Sequence, residues 1–579
     1  MVNDSGLFRT QNLTFEQNAA ARMRDGTVLY ADVYRPAAGG PFPVILMRLP
    51  YNKTQAVDVT YHHPSWYAKH GYMVVVQDIR GRGLSDGEFY PFAYEEEDGY
   101  DSVEWAAALP QSNGQVGMYG FSYVGATQLQ AAIQRPPSLR AICPALTGSQ
   151  FYDGWAYNGG AFSLAFNASW ATQLAAEGAR RAGDDAMIRE LETAFVGAPN
   201  WYGYLPLNEY PPLSSNDHGR FFFDWLSHPT YDEYWRRWSI DEDYSRIDVP
   251  ALHIGGWYDI FVQGTVKNFG ALRQSAGSEQ ARLAQKLLVG PWYHIPWSRV
   301  TGALDFGREG RNVVDQWQLR WFDHFLKGED SGVLDSPVTV FLTGRNYWQD
   351  ETSWPPEGAV LRPYYLHSNG VANSINGDGS LNSERPASEP PDVFTYDPLT
   401  PTPSAGGRSC CFPFVAPMGP ADQIGVEVSN GVLVYTSEVL ERDLTVIGPV
   451  HATLYAISSA VDTDFTVKLC DVSSEGQSIN IVGGIIRARY RESLIEPKRI
   501  VPGEVYEYMI DLGPTAHVFL AGHRIRIQVS SSDFPQWDRN MNTGGTLGFE
   551  GPAQRQVATQ LVLHDAGHAS HVTLPVLER

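Results

Sequence analysis

The chain has 579 residues, too many for one hydrophobic core, so two or three domains are expected. Apolar residues make up 43% and aromatics 12%, which excludes a disordered chain; 43 Lys+Arg against 65 Asp+Glu leave a net charge of −22, which argues against a nucleic-acid footprint. No apolar run approaches a membrane span, Met1-Val2-Asn3-Asp4-Ser5 shows no basic patch followed by an apolar stretch, and four cysteines make no disulfide framework, so a soluble cytoplasmic protein is expected.

Residues 14–35 read as two strands around the Asp-Gly turn Arg24-Asp25-Gly26-Thr27. Val44-Ile45-Leu46-Met47 is a continuous apolar run, as in a strand buried on both faces. It ends at Arg48-Leu49-Pro50-Tyr51-Asn52-Lys53. A helical stretch near Trp66 precedes a second buried strand, residues 72–77, and a loop, residues 78–87. Gly81, Gly83 and Gly87 of that loop miss the spacing of a dinucleotide fingerprint. An amphipathic helix over 98–109 is followed by a strand ending at Gly120, a bend at Ser122, a helix over 126–133 and a strand over 139–144. Strands alternating with helices predict a parallel sheet.

From about 150 to 240 aromatics crowd in and helical patches such as 175–192 alternate with Pro- and Gly-rich loops, which reads as an inserted helical cap. Strands resume at 249–256 and 286–290, and a helix over 313–326 closes the unit. Beyond Trp354-Pro355-Pro356 the pattern is all-β, with strands expected at 431–436, 444–456, 464–472, 503–511 and 523–530. The expected fold is an α/β-hydrolase core (1–147 and 242–353) with a helical cap domain (148–241) and a C-terminal jelly-roll β-sandwich (354–579). Cys410 and Cys411 are adjacent; a strained vicinal disulfide is one reading, and two reduced packing thiols are the expected one.

Gly120-Phe121-Ser122-Tyr123-Val124-Gly125 has the strand, sharp turn and helix of a nucleophile elbow, with the second glycine one place later than in the common form. A serine needs a base, and the base an orienting carboxylate. In the order Ser, Asp, His that such folds use, Asp259 follows the strand ending at Gly256 and His294 the strand ending at Gly290. The backbone N–H of Tyr123 is one oxyanion donor; no Gly-rich loop supplies the second, and Tyr51 stands at the equivalent strand end.

These stretches, with Gly256-Trp257-Tyr258-Asp259, Gly290-Pro291-Trp292-Tyr293-His294, Val461-Asp462-Thr463-Asp464 and Ser530-Ser531-Ser532-Asp533-Phe534-Pro535, resemble the bacterial cocaine esterase-like (CocE/NonD) family of serine hydrolases. That family includes X-Pro dipeptidyl peptidases and α-amino acid ester hydrolases. The resemblance runs end to end. It implies Ser122, Asp259 and His294 as catalytic triad, Tyr51 and Tyr123 as oxyanion hole, and no metal or organic cofactor. It also implies a substrate pocket from Phe261, Trp155, Trp170 and Phe412.

After Asp259 come Ile260, Phe261 and Val262, where amino-ester hydrolases of the family carry acidic residues, so esters with a compact apolar or aromatic acyl group are the expected substrates. The alternative is an amidase or peptidase of the same family, with a cap carboxylate such as Asp153, Glu209 or Asp217 holding an ammonium. A non-catalytic carbohydrate-binding protein is the reading from another class. The expected partner is a small-molecule ester, with no nucleic acid and no membrane; an isologous homodimer through the sandwich edges is left open.

Overall fold

The computed structural model describes residues 6–578 apart from 11, 57 and 296. The apolar runs become the centre of a twisted mixed sheet that has 11 strands among the described residues. Its parallel core runs, in spatial order, Met73–Asp78, Phe42–Leu49, Ser112–Phe121, Leu139–Ala145, Ala251–Gly256, Gln285–Gly290 and Val338–Leu342. Five of these strands are buried at every residue, as strands covered on both faces must be. The hairpin Leu13–Arg22 and Val28–Pro36 adds antiparallel strands at one edge, its turn closed by Gly26 at φ 91° and by Thr27 N–H donating to Asp25 Oδ1.

Two details of the core differ from the sequence reading. The helix Val314–Lys327 does not close the unit: Val338–Leu342 returns to the sheet beside Gln285–Gly290, and Tyr347–Glu351 pairs with it antiparallel. The helical patch expected over 175–192 is two helices, Leu164–Ala182 and Asp185–Val196. Gly183 at φ 72° ends the first, and the Asp184 carboxylate caps the second by accepting from Met187 N–H. Both belong to the long excursion between Leu139–Ala145 and Ala251–Gly256, which lies over the C-terminal ends of the parallel strands.

The C-terminal region is a mostly antiparallel β-sandwich. Leu444–Ser458 pairs with Tyr506–Phe519, His571–Leu577 and Ala558–Leu563. Asp464–Val472 lies between Ser478–Arg487 and Arg524–Ser530. The strands Ala359–His367, Ser478–Arg487, Ala558–Leu563 and His571–Leu577 were not expected. Ala359–His367 carries Arg362 and Pro363 in mid-strand, and Ser478–Arg487 carries Gly483 and Gly484, residues that break a strand signal. Among the described residues no helix is long and apolar enough to cross a membrane.

The sandwich is joined to the helical excursion through a buried ion cluster. Arg487 donates to Asp464 Oδ1 and Oδ2 at 2.8 and 2.9 Å and to Asp538 Oδ1 at 2.7 Å, and Asp538 Oδ1 also accepts from Phe162 N–H at 2.9 Å. Burial pushes the Asp464 carboxyl up to about 6, with Arg487 acting the other way. Arg487→Met strands two buried carboxylates, so the sandwich should lose about 3–5 kcal/mol in calorimetric unfolding near neutral pH. A loss under about 1 kcal/mol would mean that the carboxyls simply take up protons instead.

Candidate active site

Four loops that leave the C-terminal ends of parallel strands converge beneath the cap, where open α/β sheets place their ligands. Tyr51 follows Phe42–Leu49, Ser122 follows Ser112–Phe121, Asp259 follows Ala251–Gly256 and His294 follows Gln285–Gly290.

Ser122 sits at φ 65° and ψ −129°, a conformation that L residues rarely adopt and that is held only by a surrounding structure that over-determines it. Its backbone N–H donates to Ala145 O at 2.9 Å, and the helix Tyr123–Ile133 begins at the next residue. Gly120, at φ 142°, has Val124 Cγ1 only 2.2 Å from where a Cβ would stand. At Gly125 a Cβ would meet Ala145 O at 2.7 Å and Thr147 Cβ at 2.8 Å. The displaced glycine therefore has a physical reason. The helix packs its first turn against the end of the neighbouring strand at position 125, while Val124 fills the space that Gly120 leaves. The N–H groups of Gly125 and Ala126 donate back to Ser122 O at 2.9 and 3.1 Å, while the Tyr123 N–H stands ahead of them at the positive dipole end of the helix, beside the serine.

His294 Nδ1 and Asp259 Oδ1 lie 2.7 Å apart, and both side chains are essentially fully buried, at 1% and 0% exposure. His294 Nε2 is buried without a hydrogen-bond partner. The ring of Phe261 meets the His294 ring edge-on at 5.2 Å, and Phe121 lies 5.7 Å away. The Asp259 loop is tied down by Trp257 N–H to Gly290 O and Tyr258 N–H to Trp292 O, at 2.9 and 3.0 Å. Behind it the half-buried guanidinium of Arg408 donates to Trp257 O, Leu512 O and Pro514 O, so the sandwich side also fixes this loop. Burial pushes Arg408 down to about 10, opposed by Asp511 and Asp259.

The Tyr51 hydroxyl accepts from Trp170 Nε1 at 3.0 Å. Burial pushes this phenol up to about 12, with Trp170 and Ser122 acting the other way, so it remains an O–H donor at ordinary pH. Its loop is anchored one turn on, where Lys53 N–H donates to Asp78 Oδ1 at 2.6 Å and Lys53 Nζ pairs with Asp32 at 2.9 Å. Beneath the elbow, Tyr123 donates its hydroxyl proton to Glu95 Oε1 at 2.8 Å and Glu95 Oε2 pairs with Arg48 at 3.0 Å, all buried.

Ser122, Tyr51 and His294 line one cavity of about 150 Å³ with Leu49, Phe121, Cys411 and Phe412 among its walls. Among the described residues, no carboxylate lines it. Of the four aromatic residues that the sequence reading places around the substrate, Phe412 lines this cavity. Trp155, Phe261 and Trp170 instead pack on one another and are fully buried: Trp155 stacks on Phe261 at 4.1 Å, and Trp170 meets Trp155 at 6.0 Å. They form the wall behind His294 and Tyr51. The structure differs from expectation at Cys410 and Cys411 too, which form a disulfide with each other.

The three cap carboxylates singled out in the sequence lie elsewhere. Asp153 lines a separate cavity of about 270 Å³ with Arg408, Asp511 and Trp537, and neither Glu209 nor Asp217 lines the Ser122 cavity. The acidic groups that do come near are Glu177 and Glu192. They line a space of about 400 Å³ that shares Tyr51 and Gln173 with the Ser122 cavity, and Arg180 pairs with both. Sequence reasoning missed these, together with Arg408 and the Arg48–Glu95–Tyr123 chain. Such pairings join distant segments, and no local pattern announces them.

Trp170→Phe keeps a ring in the wall and removes the donor to Tyr51. Steady-state kinetics should then show a fall of about threefold to tenfold in kcat, one neutral hydrogen bond's worth, with the fold unchanged. An unaltered kcat would mean that the Tyr51 hydroxyl is oriented without Trp170.

Residues 25–296 match the family described as X-Pro dipeptidyl-peptidase (S15 family), and residues 331–573 match the X-Pro dipeptidyl-peptidase C-terminal non-catalytic domain. The chain is 36% identical to a cocaine esterase of Rhodococcus sp. (strain MB1 Bresler), covering 98% of this chain and 99% of that protein. Among solved structures it is similar to an aminopeptidase from a marine sediment archaeon, Thaumarchaeota archaeon, with a TM-score of 0.81 and 26% identity over 100% of this chain and 98% of the other. A CocE/NonD family hydrolase from Staphylococcus aureus shares the fold at a TM-score of 0.72 and 19% identity, over 99% and 95% of the two chains.

Proposed function

The chain belongs to the CocE/NonD and X-Pro dipeptidyl-peptidase (S15) family of serine hydrolases, and from that premise we propose that it is a carboxylesterase acting on esters with a compact apolar or aromatic acyl group. The observation that carries the reading is the small cavity where the strained Ser122, the Asp259-bound His294 and the Tyr51 phenol meet, with no carboxylate on its walls among the described residues.

In this mechanism His294 Nε2 removes the Ser122 proton while Asp259, on Nδ1, fixes the tautomer and stabilises the imidazolium that forms. Ser122 Oγ attacks the ester carbonyl. The oxyanion is held by the Tyr51 O–H and the Tyr123 N–H, the first a side chain where many hydrolases use a second backbone amide. His294 then passes its proton to the leaving alkoxide, and the alcohol departs. Water, deprotonated by the same nitrogen, releases the acid from the acyl-enzyme. The apolar walls favour a neutral acyl group, since an ammonium buried there would have no counter-charge.

A second reading, an amino-ester hydrolase or aminopeptidase, has one observation in its favour: Glu177 and Glu192 near Tyr51. Arg180 already pairs with both, which leaves them poor anchors for a substrate ammonium.

Ser122→Ala should lower kcat by about 10⁴ to 10⁶ with unchanged circular dichroism, and Tyr51→Phe should cost on the order of 10² to 10³. Comparing kcat/KM for a nitrophenyl benzoate, a phenylglycine methyl ester and a Gly-Pro anilide separates the two readings. The benzoate should win by at least about tenfold, or 1.4 kcal/mol. Preference for the amino ester or the anilide would sink the apolar-acyl proposal and leave the triad standing.

A further inference from the structure

Cys410 and Cys411 have no part in the mechanism above, yet they lie against its base. A ring nitrogen of His294 and the sulfur atoms of Cys410 and Cys411 all lie within 4.8 Å of one another. Nδ1 is taken by Asp259, so Nε2 is the nitrogen free to face the sulfurs. Cys411 lines the catalytic cavity, which gives a small ion or reductant a route to the pair.

We propose that reduction of the Cys410–Cys411 disulfide creates a Cys₂His site for a thiophilic divalent cation, completed by His294, and that the bound ion blocks hydrolysis. This goes beyond the esterase reading, because it concerns a ligand and a regulation of the site rather than its substrate.

The chemistry of the donor set fits. Two thiolates and one imidazole are the ligands that Zn²⁺ and its softer relative Cd²⁺ prefer, and three protein ligands leave a fourth position open. With metal–sulfur bonds of about 2.3 Å and a metal–nitrogen bond of about 2.0 Å, tetrahedral ligands stand roughly 3.5–3.8 Å apart. The present 4.8 Å envelope already accommodates that spacing once the sulfurs are no longer bonded to each other. A metal-bound histidine almost always donates its other ring N–H to a carboxylate, which orients the ring and raises its basicity. Asp259 makes that contact at 2.7 Å.

The segment carrying the cysteines is held on both sides. Gly407 and Gly419 exchange backbone hydrogen bonds of 2.8 and 2.7 Å, Arg408 is fixed by three carbonyls, and Val415 O accepts from Tyr202. Charge also balances: two thiolates and a dication sum to zero, so the bound ion adds no net charge between Asp259 and Arg408.

The steps conserve atoms and electrons. A dithiol or phosphine reductant supplies two electrons and is itself oxidised, to a disulfide or, with the oxygen of one water, to a phosphine oxide; the dithiol or that water supplies the two protons. The S–S bond breaks and, with two protons, two S–H bonds form. The ion then replaces both thiol protons, which leave to solvent, and takes the Nε2 lone pair. That lone pair is the one that would accept the Ser122 proton, so hydrolysis stops.

The test treats the full-length protein with a phosphine reductant, removes it, and adds CdCl₂ at one equivalent. Reduced protein should bind one Cd²⁺ per chain with an ultraviolet thiolate-to-cadmium band and lose at least about tenfold in kcat/KM, restored by EDTA. Unreduced protein should show neither change. Ser122→Ala, which keeps all three ligands, should give the same band with no hydrolysis to lose, so a failure of the esterase reading leaves this readout intact. A band and stoichiometry identical with and without reduction would overturn the proposal. So would an undiminished band in the Cys410→Ser, Cys411→Ser double variant, which would assign the metal to Cys143 or Cys470. If that variant does not fold, the comparison of reduced and unreduced parent protein decides alone.

Discussion

Two backbones pass each other at Ser122 closer than any side chain permits, and the rest of the active-site architecture follows from that approach. The strand Ser112–Phe121 must turn into a helix within one residue so that Oγ stands out at the sheet's end. The turn forces a left-handed φ on a serine, which costs on the order of 1–3 kcal/mol and persists only where neighbours leave no alternative. Val124 fills the place of a side chain at Gly120, and the Ala145 carbonyl does so at Gly125. The same Ala145 carbonyl accepts the Ser122 N–H, so one peptide group both excludes a side chain and fixes the serine's backbone. A Cβ at either glycine would move the helix, and with it the Tyr123 N–H.

Beneath the elbow, rigidity comes from burying charge in matched pairs. Arg48, Glu95 and Tyr123 form a chain from the strand Phe42–Leu49 through the helix Glu95–Ala107 to the first residue after the serine. Burial raises the Glu95 carboxyl above its usual range, opposed by Arg48 and Tyr123. Replacing such a chain by apolar residues would leave stability much the same or improve it; breaking one member would not. Its value lies in direction, because a hydrogen-bonded carboxylate admits fewer arrangements than a greasy contact. Arg487 plays the same part between sandwich and cap, while Arg408 ties sandwich to the Asp259 loop through three backbone carbonyls instead of a carboxylate.

How much of this was legible in the sequence depends on range. Asp259 and His294 were legible because each stands a few residues past a buried strand, Ser122 because it stands alone at a glycine-flanked bend between a strand and a helix, and their chain order matches the order in which such sheets present their loops. The hairpin at Gly26 was legible for a local reason, a turn that demands positive φ. The sandwich was legible as a class but not strand by strand: Ala359–His367 is interrupted by charge and proline, and nothing local distinguishes it from loop. Tyr51 became visible only through family resemblance, since a tyrosine after a strand is ordinarily packing. Trp155, Phe261 and Trp170 were visible as aromatics, but whether rings line a cavity or fill one another's space is decided by distances between segments far apart in sequence. The adjacency of Cys410 and Cys411 was plain; their placement beside His294 was not.

In the mechanism proposed, using a side chain as an oxyanion donor ties catalysis to the cap. A backbone amide in a glycine-rich loop is placed by its own strand, whatever the rest of the chain does. The Tyr51 hydroxyl swings on two torsions, and what restrains it is Trp170 Nε1, on the cap helix Leu164–Ala182. By accepting that N–H, the phenol oxygen commits a lone pair to the cap, and the Tyr51 side chain lines the cavity together with Ser122. Trp170 in turn packs on Phe166, Phe221 and Trp225, all of the cap, and on Tyr123 of the core. The sandwich reaches the same assembly, because Ala165, one turn before Ser169 and Trp170, donates its N–H to Pro535 O. Three regions of the chain therefore share one hydrogen bond's geometry. In the mechanism proposed, a chain folded without its sandwich would lose the Pro535 contact that steadies the helix carrying Trp170, leaving half of the oxyanion hole undirected, and would lose the hold of Arg408 on the Asp259 loop.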